Sequence, residues 1–125
     1  MASDNIPFAQ KFARLKAEYA AQLPAKLAVI LNDWNALKAQ HASETIAQLH
    51  RNVHSLIGTS GTFGFTSLSK SARDLEHSLK PLIVNSTQNF MLNTELTQDI
   101  TQQINHLLNI LDSIQQDLDK EAADK

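Results

Sequence analysis

The feature that most constrains this chain is the spacing of its apolar residues, which recur every three or four positions from Phe8 to Leu118. That period marks one face of an α-helix, whereas a half-buried strand alternates every second residue. Phe8, Phe12, Leu15, Tyr19 and Leu23 trace a first face, and Pro7 suits a first helical turn. Pro24 interrupts that helix or opens the next, where Leu27, Ile30 or Leu31, Trp34 and Leu37 carry the pattern to about Ala39. Ser43 is a candidate N-cap for a segment that aligns Ile46, Leu49, Val53, Leu56 and Ser60. After a break at residues 61–65, Thr66 is placed to cap a helix that buries Leu68, Ala72, Leu75 and Leu79 and ends around Pro81. Residues 83–93 form a loop able to tuck in Phe90 and Met91. From about Thr94, Ile100, Ile104, Leu107 or Leu108, Leu111, Ile114 and Leu118 form the last face, and the charged end from Asp119 is expected to fray. Short connections favour antiparallel neighbours, so the expected fold is all-α: an up-down antiparallel four-helix bundle with an additional N-terminal helix.

Composition narrows what such a bundle does. A length of 125 residues fits a single domain over 1–125, with its core at about 8–118. A formal charge of −2 offers no basic footprint for nucleic acid. With no cysteine there are no disulfides and no thiolate metal sites. The N-terminus lacks a basic region followed by an apolar run, and no stretch approaches the roughly 18–20 apolar residues that cross a bilayer. The expectation is a soluble, cytoplasmic protein. Its start at Met1 and its charged end suggest the N-terminal domain of a longer chain.

All three glycines fall within HSLIGTSGTFG, residues 54–64. His54, Gly58 and Gly61 stand at i, i+4 and i+7, a stripe opposite the buried line of their helix. A glycine inside a helix costs about 1 kcal/mol relative to alanine, so the missing side chains are expected to serve access to the imidazole. Gly61 has a second reading as a C-terminal cap, and Gly64 reads as a turn residue. A neutral imidazole keeps one nucleophilic nitrogen, and phosphoryl transfer asks mainly for in-line approach and charge neutralisation, which a partner carrying Mg²⁺ supplies. His50 and His54 also have the i, i+4 spacing of helical metal pairs. Two histidines are not a site, and a third ligand would have to be Glu76 or His77, so no metal is expected. His41, His77 and His106 read as solvated or packing residues.

HSLIGTSGTFGF resembles the signature of histidine-containing phosphotransfer (HPt) domains, in which a glycine follows the histidine four residues on and another about ten on. His54, Gly58 and Gly64 match that spacing. LHRNVH before it, FTSLSKSARDLE after it and FARLKAEYAAQLPAKLAVI upstream extend the resemblance over about residues 8–118. It implies a bacterial phosphorelay domain that accepts a phosphoryl group on His54 from a receiver phosphoaspartate or a histidine kinase and passes it to a receiver aspartate. It implies a carrier rather than an enzyme, monomeric and without a cofactor of its own, Mg²⁺ being held by the partner receiver. By position, Glu76 would orient the imidazole through Nδ1–H, and Gly58 would be the clearance residue. Many members carry lysine where this chain has Ile57. Arg51, Lys70 or Arg73 would then neutralise the phosphoryl group, or Ile57 and Gly61 would add docking surface. The alternative is a degenerate module that binds a receiver without phosphotransfer.

Overall fold

A computed structural model describes residues 7–40, 42–84 and 93–123. His41, Phe90 and Met91 lie outside the described residues. Among those described, every regular element is a helix: α1 (Phe8–Ala39), α2 (Ser43–Thr62), α3 (Thr66–Val84) and α4 (Thr94–Ala123).

The additional N-terminal helix is not a separate element. Residues 8–39 form one helix that runs through Pro24, although an interior proline removes a backbone hydrogen bond and costs about 3 kcal/mol. Packing explains the override. Tyr19, Ala20 and Leu23 before the proline and Leu27, Ile30, Trp34 and Leu37 after it are all buried on one face, while Pro24 is exposed. α3 likewise passes through Pro81, beyond its expected end, and buries Leu82. α4 stays helical to Ala123, past the point where fraying was expected.

The caps also differ from expectation. Ser43 lies inside the first turn of α2, and the N-cap is Ala42, with no side-chain bond. Asn93 caps α4, its Oδ1 accepting the Leu96 amide at 2.7 Å. α2 ends in a Schellman turn: the Gly64 amide donates to the Gly61 carbonyl and the Phe65 amide to that of Ser60. Gly64 holds φ +82°, so the turn needs a residue without a Cβ. Gly64→Ala should therefore lower stability by about 1–2 kcal/mol, read as a lower urea midpoint at unchanged slope.

α1 packs on α2 and α4, α2 on α3, and α3 on α4. α1 and α2 run in opposite directions: Tyr19 bonds Thr59 at 2.6 Å, while Asp33 accepts from Asn52 at 2.9 Å. Burial pushes the Tyr19 phenol above its ordinary value, and the Thr59 bond pulls it partly back. Trp34 anchors the centre, fully buried, with Nε1 donating to Thr101 on α4 at 3.1 Å. Among the described residues no helix is long and apolar enough to cross a membrane.

Candidate functional site

Burial of one face of α2 decides what the other face presents. Ile46, Leu49, Val53, Leu56 and Ser60 all point into the core. Val53 and Leu56, flanking His54 in sequence, fix the rotation of the helix, and the His54 side chain stays 71% exposed. On α3, Leu75 and Leu79 are buried in the same way and bring Glu76 to the seam with α2. The Glu76 carboxylate, only 22% exposed, lies 2.6 Å from Nδ1 of His54. An ionised carboxylate only accepts, so Nδ1 carries the proton and Nε2 keeps the lone pair. This contact joins residues 22 positions apart, and it ties a largely exposed imidazole to a carboxylate of the neighbouring helix.

The two neighbours of His54 along the helix contrast sharply. Helical side chains lean toward the N-terminus, so the His54 ring lies back over the preceding turn. There it stacks on His50, with 5.9 Å between centroids and 25° between planes. One turn onward stands Gly58, where an added Cβ would meet nothing within 4 Å. One side of the imidazole is filled and the other is open.

The remaining expected site residues divide. Gly61 faces α3, and a Cβ there would come within 3.3 Å of Ser69 Oγ, so its small size serves helix approach. Ile57 is half-buried against the core rather than fully outward, and its carbonyl accepts from Ser69 Oγ at 2.9 Å. Arg51 lines a groove of about 470 Å³ with His50, His54, Ala47 and Ile83. Arg73 and Lys70 are exposed on α3, and no ion pair ties either to His54 or Glu76 among the described residues. His77 and His106 line a separate groove between α3 and α4. No group of three His, Cys, Asp or Glu side chains is arranged to hold a metal ion among the described residues.

His50 is the residue that sequence reasoning undervalued. Its Nε2 lies 3.5 Å from the same Glu76 oxygen that bonds His54. The i, i+4 spacing was the available signal, but the carboxylate that gives it meaning sits on another helix.

The family model for the Hpt domain matches residues 14–117, most of the chain. The chain belongs to the Hpt domain family. Comparison with characterised proteins and with solved structures returns no match. Hpt domains are histidine phosphotransfer modules of phosphorelays, carriers rather than catalysts, which exchange phosphoryl groups with receiver domains and kinases. The geometry of this Hpt domain is compatible with that chemistry: an imidazole bonded to a carboxylate, a side chain that is mostly exposed, and open space at Gly58.

Proposed function

We propose that this Hpt domain carries phosphoryl groups on His54, taking them from a receiver phosphoaspartate or a histidine kinase and passing them to a receiver aspartate. The observation that carries the reading is the His54 imidazole itself, 71% exposed, tied through Nδ1 to Glu76 at 2.6 Å. The Nε2 lone pair attacks phosphorus while the bond from phosphorus to the donor oxygen breaks, returning an electron pair to the aspartate carboxylate. The ring then holds a proton on Nδ1 and the phosphoryl group on Nε2, and is cationic. Glu76 offsets that charge, and transfer onward restores the neutral ring. Mg²⁺ on the partner receiver neutralises the moving phosphoryl group, so the domain needs no cofactor of its own. The four helices act as a single up-down antiparallel bundle, a rigid monomeric support in the bacterial cytoplasm, with Arg51, Ile57, Gly58, Gly61 and Arg73 bordering the docking face.

Incubation with phosphorylated receiver domains tests this reading. The expected product is an acid-labile, base-stable phosphate on the domain. A second reading, receiver docking without transfer, draws on Ile57: the position where many Hpt domains carry lysine holds a half-buried apolar side chain. Stable receiver binding with no phosphate from any cognate donor would favour docking alone.

A further inference from the structure

The transfer proposed above uses only one of the contacts made by Glu76. Its Oε2 is 2.6 Å from Nδ1 of His54 and 3.5 Å from Nε2 of His50. Among the described residues these two imidazoles are the only partners of that carboxylate. A separation of 2.6 Å is a short, charge-assisted bond, while 3.5 Å lies beyond the good range for N–H···O. At that distance an Nε2–H on His50 would act on the oxygen through the field of its dipole. That field matters because a glutamate has three rotatable bonds, and holding it in one conformation costs side-chain entropy. A carboxylate gripped by a single exposed ring would share its time among other conformers. Whenever it swung away, His54 would lose the partner that keeps the proton on Nδ1.

We propose that His50 is a positioning residue for phosphotransfer: its Nε2–H steers Glu76 onto Nδ1 of His54 and so keeps Nε2 as the nucleophile. The inference rests on His54 as the phosphoacceptor and adds a residue that acts through Glu76 without touching the phosphoryl group. The arrangement is economical in sequence. His50 and His54 are one turn apart on α2, so a single carboxylate on α3 meets both.

Two substitutions separate the N–H from the ring. His50→Phe keeps the stacked ring and removes the donor, whereas His50→Gln keeps a donor of similar reach and removes the ring. The His50 side chain is 38% exposed, so both variants should fold, which thermal melts verify. The first readout is the ¹⁵N spectrum of the His54 imidazole in the unphosphorylated protein, which separates the Nδ1–H and Nε2–H tautomers. The second is the rate of labelling by phosphoramidate, a small donor that needs no receiver. His50→Phe should shift His54 toward the Nε2–H tautomer and slow labelling about threefold to tenfold, while His50→Gln stays within about twofold of wild type in both. Wild-type tautomer and rate in His50→Phe would overturn the proposal, as would equal losses in the two variants, which would indicate packing. If the wild-type domain accepts no phosphate from any donor, the transfer reading fails and the positioning role with it, even where the ¹⁵N comparison still shows His50 acting on Glu76.

Discussion

His54→Gln should abolish phosphoryl labelling while leaving the helical content and the unfolding midpoint close to wild type. Stability should hold because the substituted side chain is 71% exposed and makes one hydrogen bond, to Glu76, beside its stack on His50. Glutamine is at least as good a helix former as histidine, and its amide N–H can still donate to that carboxylate. Labelling should vanish because no other described histidine shares the setting. The Nε2 of His50 is turned to the same Glu76 oxygen, and His77 and His106 sit in a groove on the far side of α3. An amide nitrogen has no available lone pair, so nothing at position 54 replaces the nucleophile. The measurement is transfer from a phosphorylated receiver, followed by acid and base treatment of the product. Label surviving in His54→Gln at the wild-type level would place the acceptor on another residue.

The face of α2 was legible because burial and period coincide there: every residue in the line 46, 49, 53, 56 and 60 is buried, whereas Phe8 and Leu15 keep the period at the start of α1 yet stay exposed. Pro24 was misleading for a physical reason. Local propensity prices a proline within its own helix, but the buried side chains on both sides of it pack as one face of α1. Gly58 and Gly64 carry their meaning locally, through an open flank and a positive φ. Gly61 does not, since its nearest neighbour, Ser69, arrives from α3. Glu76 and His50 show the same limit more strongly. No pattern along one helix places a carboxylate of α3 between two imidazoles of α2, so an orienting role for Glu76 came only through resemblance to Hpt domains, and His50 was noted only as the i, i+4 partner of His54 in a metal pair that was set aside. Ile57 was expected to add docking surface, yet it turns half inward where α3 closes over the edge of α2. Of the expected cations Arg51, Lys70 and Arg73, Arg51 is the one that lines the groove with both histidines.

Gly58→Leu should make the domain more stable and a poorer carrier. An added Cβ meets nothing within 4 Å, so leucine enters without a clash and removes the helical cost of glycine, a gain of about 0.5–1 kcal/mol. The unfolding midpoint should rise by roughly 2–6 °C. Transfer should move the other way. Side chains on a helix lean toward its N-terminus, so a leucine at 58 fills the turn between itself and His54, on the open flank of the imidazole. A receiver must bring its aspartate and metal in line with Nε2 at that place, and misplacement by about 1 Å costs on the order of a hundredfold in rate. Phosphoramidate needs far less room, so its labelling of Gly58→Leu should slow much less than transfer from a receiver. The contrast between donors is what tests clearance: if receiver and phosphoramidate slow equally, the leucine acts on the imidazole itself. Unchanged receiver transfer would mean that partners approach His54 over the groove lined by Arg51, and that Gly58 leaves its space for no one.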